Sequence, residues 1–284
     1  MRFWVTGARG MLGREVCAVL AARMIPHVAT DRELDITDVK ALDGFATREP
    51  FTHVINCAAY TGVDACEAHE PEALRVNADG PAHVARVART LGAIAVHVST
   101  DYVFDGASHE PYQEFAPTGP TNAYGRTKLA GELRFVDEAG AYVVRTSWLF
   151  GPGGPNFVAT MLRRMTEQPE IRIVDDQTGR PTYTPDLAAV LIDLVIRRPP
   201  SGTYHFANAG QVTWYGLATA TRTAALARGR TALARLSPIT TAEFPTPARR
   251  PAWSVLATDK IEHAIDCRPR PWNEALAAYL DVIT

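Results

Sequence analysis

Three glycines, spaced Gly7-x-x-Gly10-x-x-Gly13, stand between an apolar run beginning at Arg2 and a stretch of helix formers ending at Ala22. Arg2–Val5 reads as a short strand and Arg14–Ala22 as a helix. Glycines where a strand turns into a helix allow a tight bend, close approach of backbone to a pyrophosphate, and close packing of helix on strand. The helix then offers unsatisfied N–H groups and the positive end of its dipole to phosphate. The spacing is wider than the Gly-x-Gly-x-x-Gly of the ordinary dinucleotide fingerprint. Gly7, Gly10, Met11, Leu12 and Gly13 are therefore candidate cofactor-binding residues. A second apolar run, Pro26–Thr30, ends at Asp31, eighteen residues after Gly13. A carboxylate there can bond the adenosine ribose hydroxyls. Arg32 follows and can receive a 2′-phosphate, so NADH and NADPH both stay open. Asp35 and Ile36 start the next loop, within reach of an adenine.

Strand-like runs recur at Phe3–Thr6, His27–Thr30, His53–Ala58, Ile94–Ser99 and Tyr142–Thr146, separated by helical candidates at Met11–Met24, Asp38–Thr47, Glu72–Leu91 and Tyr124–Glu138. Regular alternation of this kind predicts an α/β fold: a doubly wound parallel sheet with right-handed crossovers and helices on both faces. Ligands of such sheets bind beyond the carboxyl ends of the strands. The glycine turn, Asp31, Ala58-Ala59-Tyr60, Ser99-Thr100-Asp101-Tyr102 and Trp148 all fall on that rim. From Gly151 the pattern loosens into Pro- and Gly-rich loops, with helices expected at 156–165, near 186–197 and at 214–227, and a strand near 203–207. The expected organisation is a dinucleotide-binding domain over 1–150 and a smaller substrate-binding lobe over 151–284, interleaved with the last elements of the first.

Composition narrows the function class. A formal net charge of −2 in 284 residues supplies no basic field for nucleic acid and no polybasic membrane patch. No apolar stretch is long enough to span a bilayer, and the first residues read as strand rather than signal peptide, so a cytoplasmic protein is expected. Cys17, Cys57, Cys66 and Cys267 lack metal spacing or a C-x-x-C pair, and the eight histidines show no H-x-x-x-H pattern. No metal site is expected.

Tyr124 and Lys128 stand four residues apart, on one face of a helix if the stretch is helical. A phenol beside an ammonium suits proton transfer to a substrate oxygen, because the positive charge stabilises phenolate. In isolation such a pair is commonplace on an amphipathic helix. Beside the glycine turn it points to a nucleotide-dependent carbonyl reductase.

The glycine spacing is similar to that of extended short-chain dehydrogenases. Ser99-Thr100-Asp101-Tyr102-Val103-Phe104-Asp105-Gly106, followed by Tyr124-Gly125-Arg126-Thr127-Lys128, closely resembles the dTDP-4-dehydrorhamnose reductase family. Asn56–Asp64, Arg145–Gly151 and Glu243–Pro251 resemble the same family, so the likeness runs nearly end to end. Cys57 stands where that pattern has Ala, and Arg9 and Met11 vary the glycine loop. The resemblance implies NAD(P)H-dependent reduction of dTDP-4-dehydro-6-deoxy-L-mannose at C4 to dTDP-L-rhamnose. It implies that Tyr124 protonates the emerging alkoxide and that Lys128 lowers the phenol pKa and bonds the nicotinamide ribose. Thr100 takes the place of the usual Ser; neighbouring Ser99 points to the other face of a strand. Ala58, Ala59 and Tyr60 would let the cofactor approach, and Asp101, Tyr102, Trp148 and Arg249 would contact the sugar or its diphosphate. Packing is the competing account of Trp148 and of the small residues, and solvation that of Arg249. The short tail, with Glu274 and Asp281 as its acids, weakens the expectation of a carboxylate–metal dimer contact, leaving a monomer or weak homodimer. Two other readings stay open: a dTDP-deoxysugar ketoreductase of antibiotic biosynthesis, and a non-catalytic regulatory subunit of the same fold.

Overall fold

The computed structural model describes residues 1–136 and 141–283. The chain alternates strictly at first: β1 (Phe3–Thr6), α1 (Met11–Ala22), β2 (His27–Ala29), α2 (Val39–Arg48) and β3 (His53–Asn56). Next come α3 (Val63–Ala68), α4 (Glu70–Leu74), a π-helical turn at Arg75–Asp79, α5 (Gly80–Thr90), β4 (Ile94–Thr100), α6 (Ala123–Val136) and β5 (Ala141–Thr146). The remainder holds β6 (Leu149–Phe150), α7 (Phe157–Glu167), β7 (Glu170–Val174), β8 (Thr178–Gly179), β9 (Thr182–Tyr183) and α8 (Thr184–Arg197). It closes with β10 (Gly202–His205), β11 (Val212–Thr213), α9 (Trp214–Ala227), β12 (Arg235–Ile239), α10 (Asp259–Ile265) and α11 (Trp272–Ile283).

The central sheet is wholly parallel, in the order β10-β5-β4-β3-β1-β2. Chain order reverses between β1 and β3, which opens a crevice beyond their carboxyl ends. Every residue of β1 and β3 is buried because both faces are covered. Phe3 and Val5 face α1 and α8, where Leu12, Val16 and Leu20 meet Leu187, Leu191 and Val195. Trp4 points the other way, into Leu42, Phe45 and Val84 of α2 and α5. A separate core joins α7, α9 and α11 to the parallel pair β7–β12, through Met161, Leu162, Ile171, Leu217 and Leu276. Among the described residues no helix is long and apolar enough to cross a membrane.

Three expected elements differ. Asp38 is not the first helical residue but the cap of α2, its carboxylate accepting from the Ala41 N–H at 3.0 Å. The helix expected over 72–91 is broken by the π turn, discussed below. The helix expected to Glu138 is described to Val136; Asp137 and Glu138 lie outside the described residues.

Candidate active site

The glycine turn is a cradle without room for side chains. Gly7 has φ +61°, and a Cβ there would lie 2.7 Å from the Ala58 nitrogen; one on Gly13 would lie 2.2 Å from the Gly7 carbonyl oxygen. Backbone occupies both directions, so only glycine fits. Helix α1 starts at Gly10 with no side-chain cap, leaving its first N–H groups to a ligand. These features fit a dinucleotide. Leu12 itself is buried in the core, and Met11 packs beside Gly154, which brings the loop after β6 onto the cradle. A cleft of about 330 Å³ adjoins it, lined by Ala8, Arg9, Arg14, Thr30, Asp31 and Glu33 among others. Asp31 is oriented by the Arg9 N–H at 2.9 Å, and Arg9 pairs with Glu33 at 2.9 Å. Asp35 is exposed, accepting from the Thr37 N–H, and Ile36 is buried against Gly80. Packing uses the Ile36 side chain.

Small residues also bring α6 onto the rim. A Cβ on Gly125 would lie 2.1 Å from the Tyr102 carbonyl oxygen, and one on Gly131 would lie 2.0 Å from that of Asn77. The Asn122 side chain accepts from the Gly125 N–H at 2.8 Å and donates to the Arg249 carbonyl at 2.8 Å, fastening the start of α6 to the loop before β-bridged Trp253. Asn77, fully buried on the π turn, accepts from the Tyr60 N–H (2.8 Å) and donates to the Tyr60 carbonyl (3.1 Å) and the Thr127 hydroxyl (3.1 Å). The extra residue in that turn thus ties the end of β3 to α6, as π turns near functional sites often do.

Tyr124 and Thr100 meet at the carboxyl end of β4. The Tyr124 ring stands edge-on to Tyr102, with centroids 5.7 Å apart. Burial, then the Asp101 carboxylate, push the Tyr124 phenol pKa up; a hydrogen bond with Thr100 opposes them. Thr100 donates to Asp101 at 3.0 Å and accepts from the Tyr102 N–H at 3.2 Å. Burial raises the Asp101 carboxyl to about 6, against the nearby Ser254 and Thr100 hydroxyls. Ser99 is buried, and its hydroxyl has no partner among the described residues. Lys128 points inward: its ammonium donates to the Val98 carbonyl at 2.7 Å and lies 3.1 Å from His97 Nε2. Burial lowers its pKa to about 8, while Glu132 and Cys57 raise it. The phenol pKa is therefore raised rather than lowered in this state, because desolvation dominates, and the ammonium is held by His97 and Val98.

A second cleft, of about 380 Å³, is lined by Asp64, Tyr102, Phe157, Arg164, Arg172, Trp214 and Arg250 among others. Two expected contacts look different here. Trp148 has φ +48° and its ring is stacked on Trp214, centroids 3.4 Å apart, with Gly179 also against it. Packing against Trp214 and Gly179 thus takes up part of that half-buried indole. Arg249 is exposed and outside the cleft lining; its neighbour Arg250 lines the cleft and clamps Asp64 through 2.6 and 2.9 Å bonds.

A family model described as the RmlD substrate binding domain matches residues 1–284. The chain belongs to this family. It is 42% identical to a dTDP-4-dehydrorhamnose reductase of Streptomyces griseus, over 97% of this chain and 91% of that relative. It is also 42% identical to a dTDP-4-keto-6-deoxy-D-glucose reductase of Streptomyces niveus, covering 97% and 95%. A crystal structure of dTDP-4-dehydrorhamnose reductase from Bacillus anthracis in complex with NADP superposes with a TM-score of 0.93 at 34% identity, covering 100% and 99%. In this RmlD-family chain, Asn77, His97, Trp214 and Phe157 escape sequence reasoning, since each becomes part of the site only through long-range packing.

Proposed function

We propose that this chain reduces the C4 ketone of dTDP-4-dehydro-6-deoxy-L-mannose to dTDP-L-rhamnose with NADPH or NADH. It acts as a cytoplasmic monomer or weak homodimer on a dTDP-sugar, without nucleic acid or membrane. The observation that carries this reading is the meeting of Thr100 and Tyr124 at the end of β4, on the same sheet rim as the Gly7–Gly13 cradle, in a chain of the RmlD family. A reduced nicotinamide cofactor, held by the glycine turn and Asp31, supplies the hydride.

The side chains divide the remaining work. Tyr124 gives its proton to the sugar oxygen as negative charge develops there. The phenol is protonated at neutral pH and so in the form that donates, while the burial that raises its pKa opposes the transfer. Thr100 orients the same oxygen by its hydroxyl, whose single proton, given to Asp101 in this structure, turns to the sugar oxygen. Lys128, one helical turn away, supplies the positive charge that supports the phenolate left behind. Asp64 and Arg250 hold the floor of the second cleft, where the nucleotide-sugar lies, and residues 151–284 furnish most of its wall. A guanidinium in such a cleft suits the diphosphate.

The test follows NADH and NADPH absorbance separately with enzymatically made dTDP-4-dehydrorhamnose, and identifies the product. Oxidation of either cofactor with formation of dTDP-rhamnose is expected. Turnover only with another dTDP-keto-deoxysugar would assign the ketoreductase reading, which the Streptomyces niveus relative supports. Cofactor binding without turnover on any keto-sugar would leave the regulatory one.

A further inference from the structure

We propose that His97 is a positioning residue for Lys128: a buried imidazole whose ring nitrogen accepts a hydrogen bond from the ammonium and fixes where that charge sits beneath the site. The inference rests on the reading of Lys128 given above. His97 lies on β4, three residues before Thr100, and is 0% exposed. Its Nε2 is 3.1 Å from Lys128 Nζ, and its Nδ1 is 3.0 Å from the Asn56 side-chain amide nitrogen. The Asn56 amide oxygen in turn accepts from the Thr6 hydroxyl at 2.5 Å, at the end of β1 where the glycine cradle begins. Phe135 covers the imidazole, with ring centroids 5.3 Å apart. Thr6, Asn56, His97 and Lys128 thus form one buried polar chain from the cradle to α6.

The proton count makes the chain specific. Burial, then Lys128, keep His97 far below its ordinary pKa, so it is neutral and carries one N–H. An ammonium at Lys128 requires Nε2 to accept, which places the proton on Nδ1. Asn56, whose amide nitrogen faces Nδ1 in this structure, must then turn its near-isosteric amide over, so that its oxygen accepts from Nδ1–H and its nitrogen donates to Thr6. The orientation in this structure pairs with the opposite tautomer and a neutral amine at Lys128. The His97–Asn56 pair therefore selects the charge state of Lys128. The other charged or titratable neighbours of that ammonium are Glu132 on α6, itself paired with Arg145 of β5, and Cys57 after β3. Neither hydrogen-bonds it among the bonds of the described residues, whereas His97 does.

The pH profile of kcat/KM reads the free enzyme, and its alkaline limb is expected where Lys128 loses its proton. His97→Leu removes the acceptor, so the ammonium is disfavoured. The limb should move down by about one pH unit, and kcat/KM at pH 8 should fall about fivefold. His97→Gln, whose amide oxygen can reach the same ammonium, should restore most of both. A merely structural role would lower the folded fraction without moving the limb. If His97→Leu does not fold, His97→Asn, one methylene shorter than Gln, takes its place. The inference is overturned if Leu or Asn and Gln share the wild-type limb. Lys128→Met separates the two failures. Should it keep turnover and limb, Lys128 has no catalytic role and both readings fall. Should it abolish turnover while the His97 variants keep the wild-type limb, only the role of His97 falls.

Discussion

The two clefts of this molecule are similar in size and unlike in origin. The one beside the glycine turn, about 330 Å³, is lined by residues 8–33, a single β-α-β passage. The other, about 380 Å³, gathers Asp64, Tyr102, Phe157, Trp214, Phe244 and Arg250 from across the chain. The first is lined by neighbours in sequence that the glycine turn holds together; the second is shaped by side chains held at the meeting of separate packed elements. A site built from one contiguous passage is written in residue spacing. A site built by long-range packing exists only once the chain has folded.

Substitutions can break that contrast in stages. Tyr124→Phe should cause the largest loss: kcat down on the order of 10²–10⁴-fold, with NADH affinity by fluorescence titration unchanged, because neither cleft loses a wall. An unaltered kcat would remove Tyr124 from the proton-transfer role. Asp101→Asn sharpens the electrostatic side. Its folded pKa, about 6, lies above the ordinary value of 3.8, so the stability contributed by the neutral carboxyl is present below pH 3.8 and is lost as pH rises through about 6. The loss amounts to about 3 kcal/mol at most. Urea unfolding should show the wild type losing stability across that window and the Asn variant not; parallel curves would refute it. Gly7→Ala attacks the cleft beside the glycine turn alone. Forcing a side chain to φ +61° costs on the order of 1–3 kcal/mol, so Tm should fall and NADH should bind more weakly. The smallest effects belong to the packed cleft. Arg250→Ala should raise KM for the nucleotide-sugar several-fold, whereas Arg249→Ala, exposed and bound only through its carbonyl, should leave it within about twofold. Equal effects from the two arginines would erase the distinction.

Much of the sheet half was readable in advance because period-two strands and period-3.6 helices carry their own signal. β1, α1 and β2 fall within a residue or two of their expected bounds. What could not be read depends on partners distant in sequence. Trp148 offered a ring, but not that Trp214, sixty-six residues on, would stack upon it. Lys128 showed its spacing from Tyr124, not the imidazole that draws it inward. Adjacent arginines at 249 and 250 are alike as letters, and only the Asp64 carboxylate tells them apart. Ile36 shows its place at the start of a loop, not that its side chain fills the space Gly80 leaves.

The wide turn at Arg75–Asp79 has a consequence for how this chain tolerates length changes. It stores one residue more than an α-helix needs between α4 and α5. Deleting Asn77 would relax the turn to ordinary pitch without rotating the residues after it, since the bulge already takes up the extra residue. Val84, Val87 and Ala88 would stay turned inward, but the tether between Tyr60 and Thr127 would be cut. A shortening of one residue in the middle of a helix would thus spare that wall of the core and loosen the helix that carries Tyr124.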